Sequence, residues 1–159
     1  MNPSDSPAPQ MSEARRLAGI FWDPRPVYED LAARPRFWVP LILLTLLSTV
    51  YIAAFTHRVG VESLIRRQME SNARVQEMSP EQQEQAVQMS MRIAAPMTYA
   101  GAVLGVAGSC LVVAAILLVC FNLLGGAELK FKPAFSITCY SFLPSGLGTI
   151  LALIVLFLK

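Results

Sequence analysis

Three long runs without a charged side chain dominate this 159-residue sequence. They span Phe37–Thr56, Ile93–Ala127 and Pro133–Leu158. An exposed helix of a soluble protein needs a polar face, and these runs have none. One helical crossing of a bilayer core about 30 Å thick needs about 20 consecutive apolar residues. The sequence therefore predicts an all-α, polytopic membrane protein with three transmembrane helices, which we expect at residues 37–56, 93–125 and 134–158.

The first run does not have the position of a secretion signal. Such a signal begins within a few residues of the initiator methionine and has an apolar core of about 7 to 15 residues. Here 36 residues precede the run, including five arginines and five acidic residues, and no convincing cleavage site follows it. We expect the run to remain in the protein as its first span.

The residues ahead of the first span divide into two parts. Residues 1–11 are rich in Pro and Ser and too polar to repay the entropy of ordering, which predicts a disordered tail. Residues 12–36 are predicted to form an interfacial amphipathic segment, with Ser12 as a helix N-cap and "DPRP" as a break. In "SEARRLAGIFW", helical spacing places Leu17, Ile20 and Phe21 opposite Arg15 and Arg16.

The amphipathic segment combines aromatic and basic residues suited to the headgroup layer. Trp is enriched at that depth, and Arg side chains can meet lipid phosphates. We therefore predict four interfacial anchors: Trp22, Trp38, Arg34 and Arg36. Packing of Trp22 against loops of the protein itself is the alternative.

A strongly polar, helix-favouring segment at residues 57–92 joins the first two spans, and it predicts a polar helical hairpin. "SPEQ" at Ser79–Gln82 supplies an N-cap, a proline at the first helical position and a capping-box partner. No strong helix breaker follows before Pro96, so the second span can be the upper part of one long helix from Pro80 to about Leu124. Residues 126–133 predict a short turn before the third span.

Ionisable residues inside membrane helices usually mark an ion path, a proton relay or a catalytic site, and the three runs contain none. We find no nucleophile–base pair, metal-ligand spacing or phosphate-binding glycine loop elsewhere. The cysteines, Cys110, Cys120 and Cys139, lack C-x-x-C spacing, which favours packing roles. We predict a protein that is not an enzyme and has no catalytic residues, cofactor, metal site or small-molecule substrate. A net charge of +2 gives no basis for nucleic-acid binding.

Helix packing is the property that the spans do encode. Gly101, Gly105 and Ser109 recur at i, i+4 and i+8, a stripe that lets another helix approach closely. That helix could belong to the same chain or to a second copy. Pro144 cannot donate to the Tyr140 carbonyl, which predicts a kink in the third span. Asn122 and Thr138 are candidates for hydrogen bonds between helices.

Two blocks of the sequence resemble the Yip domain family of Ypt/Rab-interacting membrane proteins, in its bacterial branch. "LAGIFWDPRPVYEDLAARPRFWVPLILL" has an amphipathic stretch, an aromatic-x-Pro turn, "RP" and a proline that opens the first span. "NLLGGAELKFKPAFSITCYSFLP" has a Gly-rich turn, "FK" and an aromatic-Ser-x-x-Pro pattern.

The resemblance implies one helical membrane domain with a cytoplasmic N-terminus, here in a bacterial cytoplasmic (inner) membrane. The distribution of basic residues does not determine the orientation, because the two sides differ by a single residue. Members of the family typically have five spans, so we expect this chain to correspond to the first three.

These features predict a membrane scaffold or adaptor with a role in membrane organisation or trafficking. Its expected partners are the lipid bilayer and a protein partner or second copy, bound through the transmembrane helices. The alternative is a component of a transporter or channel for an uncharged solute, with the kinked Pro144 helix lining the path. An intramembrane enzyme would need a catalytic dyad that the sequence does not contain.

Overall fold

The computed structural model describes residues 11–72, 75 and 78–158, and all regular secondary structure in these residues is helical. Three helical stretches are long and apolar enough to cross a membrane: Trp38–Val59, Pro80–Leu124 and Phe131–Leu158. The prediction of an all-α, polytopic membrane protein is confirmed. Apart from Met11, the predicted tail lies outside the described residues. The helices are α1 (Glu13–Trp22), α2 (Pro24–Ala33), α3 (Trp38–Val59), α4 (Val61–Glu70), α5 (Pro80–Val119), α6 (Phe131–Ser141) and α7 (Leu143–Leu158).

The two short N-terminal helices begin and end where local chemistry predicts. The Ser12 hydroxyl accepts a hydrogen bond from the Arg15 backbone N–H at 3.3 Å, which caps α1. Asp23 ends α1, and Pro24 occupies the first position of α2, where a missing N–H has no cost. Residues 12–36 thus contain a pair of helices joined at one residue.

Helix α3 continues three residues beyond the expected end at Thr56. His57 and Arg58 lie in its last turn, where positive charge is favourable next to the helix C-terminus. Gly60 then has a positive φ of 78°, a conformation that glycine adopts without steric cost, and α4 begins at the next residue. This arrangement places α4 and the start of α5 in the polar segment, although residues 73, 74, 76 and 77 of that segment lie outside the described residues.

The predicted long helix from Pro80 to Leu124 is confirmed. Its N-terminus has the expected capping box: Gln82 N donates to Ser79 Oγ at 3.4 Å, and Ser79 N donates to Gln82 Oε1 at 3.2 Å. Helix α5 passes through Pro96 and widens into a π-helical turn over Cys120–Leu124.

The prediction that Asn122 and Thr138 form hydrogen bonds between helices is wrong. Asn122 instead closes the short turn, because its side-chain amide donates to Leu129 O at 3.0 Å and accepts from Leu129 N at 2.8 Å. Thr138 Oγ1 donates to Ala134 O, one turn earlier in its own helix. In both cases a backbone group within reach of the short side chain takes the hydrogen bond.

The third span is interrupted at Phe142, two residues before Pro144, in the region where a kink was predicted. The Phe142 N–H bonds to Thr138 O at 3.1 Å and closes α6. The Ser141 hydroxyl donates to Ile137 O, one turn earlier in α6.

The described helices form two compact units. The first comprises residues 11–43 and 109–145, and its core contains fully or nearly buried side chains from α1, α2 and α6: Ile20, Val27, Leu31, Ala134, Phe135, Cys139 and Tyr140. The second comprises residues 44–108 and 146–158. Within the second unit, the side chain of Leu47 packs against Gly146, and Thr56 Oγ1 lies 3.1 Å from Tyr99 Oη.

Candidate functional site

Arg16 on α1 is buried, with 2% of its surface exposed. Arg16 was expected to lie on a polar face of α1, opposite Ile20, and that prediction is wrong. The reason is that Arg16 and Ile20 are four residues apart and share one face of α1, and α2 packs against α1 and places the Asp30 carboxylate beside Arg16. Arg16 Nε donates to Asp30 Oδ2 at 2.7 Å, and Nη2 lies 2.5 Å from the same oxygen. Two nitrogens of the guanidinium therefore contact one carboxylate oxygen.

Glu13 is the second acid in contact with Arg16. Its Oε1 accepts from Arg16 Nη1 at 2.9 Å and from Arg36 Nη1 at 3.5 Å. Its Oε2 accepts a hydrogen bond of 2.6 Å from the phenol of Tyr140, in the last turn of α6. We call Glu13, Arg16, Asp30, Arg36 and Tyr140 the ionic cluster, which joins α1, α2, the residues before α3 and the third span.

The formal charges of the ionic cluster balance, with two carboxylates and two guanidinium groups. Burial acts to lower the pKa of Arg16, but the hydrogen bond and charge of Asp30, together with the charge of Glu13, outweigh it and raise that pKa. The folded state thus favours the charged form of Arg16, and this stabilisation would be lost only above the ordinary pKa of arginine. Arg16 remains a cation throughout the physiological range.

Apolar and aromatic contacts also join the elements that carry the ionic cluster. A Cβ added to Gly19 would lie 2.7 Å from Val27 Cγ2, so glycine permits the close approach of α1 and α2. Phe37 packs edge-on against Phe135 of α6, with ring centroids 5.0 Å apart. Arg16 itself is almost inaccessible to water, and the exclusion of water strengthens its electrostatic interactions.

A second polar contact ties α2 to α6 at the edge of the cluster. Tyr28 Oη and Ser141 Oγ lie 3.1 Å apart, and both side chains are more exposed than Tyr140. The helix pair is therefore attached to the third span at two consecutive residues of α6, Tyr140 and Ser141.

The ionic cluster holds helices together, and its groups are engaged with each other. Among the described residues, no buried side-chain nitrogen or oxygen lacks a hydrogen-bond partner. No group of three or more His, Cys, Asp or Glu side chains within those residues could hold a metal ion. The ionic cluster can therefore fix the position of α1 and α2 on α6, which is the first part of the third candidate span.

The four predicted interfacial anchors lie around this helix pair. Trp22 and Trp38 are exposed, with 85% and 65% of their surfaces accessible. The Arg36 side chain is 65% exposed, although its Nη1 also reaches Glu13. Arg34 is half-buried, and its backbone N–H ends α2 by bonding to Asp30 O at 2.8 Å. Their role as membrane anchors stays a prediction.

The predicted packing stripe on α5 has open space beside both of its glycines. A Cβ added to Gly101 or Gly105 would meet no described atom within 4 Å, and Ser109 is exposed. Pro144 is also exposed. The partner of this stripe therefore stays a prediction, whether it is a helix of the chain or of a second copy.

Sequence reasoning missed three members of the ionic cluster: Glu13, Asp30 and Tyr140. The spacing of Glu13 and Arg16 at i, i+3 was a signal for an ion pair on one helix face. Tyr140 carries no formal charge, so the charge-free run concealed its role as a hydrogen-bond donor inside the third span.

The Yip1 domain model matches residues 18–158, which is most of the chain. The chain belongs to the Yip1 domain family. The match begins after Glu13 and Arg16 and includes Asp30, Arg36 and Tyr140, so the ionic cluster joins the Yip1 domain to the residues just before it. No curated protein and no solved structure is significantly similar to the chain. Membership of the family and the three apolar helices make the chain a multi-pass integral membrane protein.

Proposed function

We propose that this Yip1-domain protein is a non-enzymatic membrane scaffold or adaptor that presents α1 and α2 to a partner at the bilayer surface. The observation that carries the proposal is the buried contact of Arg16 with Glu13, whose carboxylate is bound in turn by Tyr140 of the third span. A scaffold needs a binding surface with a fixed position on its membrane helices. The ionic cluster supplies that connection for the helix pair.

The outward face of the helix pair supports this proposal. Trp22 is almost fully exposed, and its ring packs edge-on against Phe21 with centroids 6.2 Å apart. Trp residues act both as anchors in the headgroup layer and as central residues of protein interfaces. We propose that this face contacts the bilayer together with a protein partner or a second copy of the chain. We place it in the cytoplasm of a bacterial cell, with the spans in the cytoplasmic membrane.

Site-specific photocrosslinking in intact cells tests the proposal. A benzophenone amino acid at Trp22 should give a discrete protein adduct, identifiable by mass spectrometry, and Arg16→Gln should reduce its yield several-fold. The control position is Ile116, an exposed residue of α5 in the span, where Arg16→Gln should change nothing. A Trp22 adduct whose yield is unaffected by Arg16→Gln would contradict a function that depends on the ionic cluster.

Solute flux separates the scaffold from the transporter or channel alternative. Purified protein in liposomes should leave the permeation of glycerol and urea, measured by stopped-flow light scattering, equal to that of empty liposomes. A protein-dependent increase that scales with the amount of protein would replace the scaffold proposal with the alternative.

A further inference from the structure

Helices α3 and α7 form a groove within the second unit, separate from the residues of the ionic cluster. Its volume is about 520 Å³, within the range of small-molecule sites. The walls are aromatic and aliphatic, from Tyr51 and Phe55 of α3 and from Ala152, Val155 and Leu156 of α7. Of the described residues that line it, Arg58 is the one with a charge. The groove is therefore apolar along its length, with a cation at its edge.

Arg58 is held in place by α7. Its Nη2 donates to Phe157 O at 3.0 Å, and its guanidinium carbon lies 5.2 Å from the centre of the Phe157 ring. The carbonyl bond and the cation–π contact orient the guanidinium beside the groove. A guanidinium has five N–H donors in a fork that matches the geometry of phosphate. The bond to Phe157 O uses a donor of Nη2 and leaves the fork able to bind a phosphate as well.

The position of Arg58 along α3 sets its depth in a bilayer. Helix α3 has 22 residues, so it is about 33 Å long, close to the hydrocarbon thickness of about 30 Å. Arg58 lies in the last turn and thus falls in a headgroup layer. Phe55 and Tyr51 lie about 5 and 10 Å deeper along the helix, among the acyl chains.

We propose that this groove binds one anionic glycerophospholipid, with an acyl chain along Tyr51, Phe55 and Val155 and the phosphate on Arg58. Charge complementarity favours an anionic headgroup. A choline headgroup would bring a second cation next to Arg58, whereas a glycerol headgroup would not. The apolar walls suit a lipid chain, and Arg can bind a phosphate through two parallel hydrogen bonds. This proposal does not depend on the scaffold function.

Native mass spectrometry on the purified full chain tests the proposal. The protein is released from nanodiscs that contain equal amounts of phosphatidylglycerol and phosphatidylcholine with identical acyl chains. We expect one retained phosphatidylglycerol per chain and about tenfold less phosphatidylcholine. Arg58→Gln removes a charge-assisted phosphate contact and should reduce retained phosphatidylglycerol by about tenfold.

Two further variants separate this site from general lipid contact. Arg66→Gln removes another exposed arginine, which pairs with Glu62 and does not line the groove, and it should retain phosphatidylglycerol as the unmodified protein does. Ala152→Phe fills the groove without changing charge and should also lose the lipid. Equal retention of the two lipids, or undiminished phosphatidylglycerol in both Arg58→Gln and Ala152→Phe, would overturn the proposal. Circular dichroism checks that each variant keeps its helical content.

Discussion

The phenol of Tyr140 donates a 2.6 Å hydrogen bond to Glu13 Oε2, across 127 positions of the sequence. Tyr140 is fully buried in α6, and Glu13 begins α1, so this bond connects the first helix to the third candidate span. Glu13 also accepts from Arg16, which in turn binds Asp30. Hydrogen bonds to ionised groups are roughly twice as strong as neutral ones, and the contacts here share their acceptors. Removal of one member should therefore affect the others.

Tyr140→Phe removes the hydroxyl and leaves the ring in place. We expect the free energy of unfolding to fall by about 2 kcal/mol, because the partly buried carboxylate of Glu13 loses a charge-assisted donor. Reversible unfolding in mixed micelles, followed by circular dichroism, measures the change. The matched control is Tyr28→Phe, which removes the more exposed contact with Ser141 and should cost about 1 kcal/mol or less. Equal losses in the two variants would contradict a special role for Tyr140.

Arg16→Gln leaves Glu13 and Asp30 without their shared cation. Removal of one partner of a buried ion pair leaves the charge of the other without compensation. We therefore expect a loss of about 3 kcal/mol in unfolding free energy. The helix pair should also detach, so limited proteolysis should cleave between α1 and α3 sooner. Arg15→Gln changes the neighbouring, exposed arginine and should stay within about 0.5 kcal/mol of the unmodified protein. Similar protease sensitivity in the two variants would show that the ionic cluster does not hold the pair.

The spans and the ionic cluster differed in how far sequence could predict them. A bilayer imposes a length and an absence of charge on a continuous segment, so Phe37–Thr56 reveals a span without any knowledge of the fold. The burial of Arg16 depends on how the chain turns at Asp23, which decides where Asp30 lies. The contact of Glu13 with Tyr140 depends on helices that are distant in sequence, and a phenol has no formal charge to signal it.

Gly19→Ala tests the close approach of α1 and α2. The new methyl group would lie 2.7 Å from Val27 Cγ2, and Val is stiff in a helix, so we expect a loss of about 1 to 3 kcal/mol in unfolding free energy. The double variant with Val27→Ala removes the clash, and its loss should be smaller than the sum of the two single losses. Gly148→Ala, where a Cβ has open space, is the control. Additive losses for Gly19 and Val27 would argue against the contact.

Gly101→Leu combined with Gly105→Leu tests the open stripe on α5. If a second copy packs there, leucine side chains would hold the helices apart, and the dimer dissociation constant in detergent should rise by about tenfold. Sedimentation equilibrium measures that constant. Ala100→Leu adds the same bulk at an exposed neighbouring position outside the stripe and should leave it unchanged. A dimer that tolerates the double variant would exclude this stripe from its interface.

Single cysteines at exposed positions test the orientation of the chain. Suitable positions are Arg25 on α2, Glu81 at the start of α5 and Lys130 in the turn before α6, in a background with Cys110, Cys120 and Cys139 replaced by alanine. Arg25 reports on the helix pair without disturbing the ionic cluster, because its pair with Glu29 is exposed and contributes little to stability.

With a membrane-impermeant maleimide in intact cells, we expect labelling of Cys at position 81 alone, because three spans alternate sides and the N-terminus is proposed to be cytoplasmic. All three positions should label after permeabilisation, which controls for thiol reactivity. Labelling at positions 25 and 130 but not 81 would reverse the orientation and place α1 and α2 outside the cell. The partner of the helix pair would then have to be extracytoplasmic, and the polar segment with α4 would face the cytoplasm.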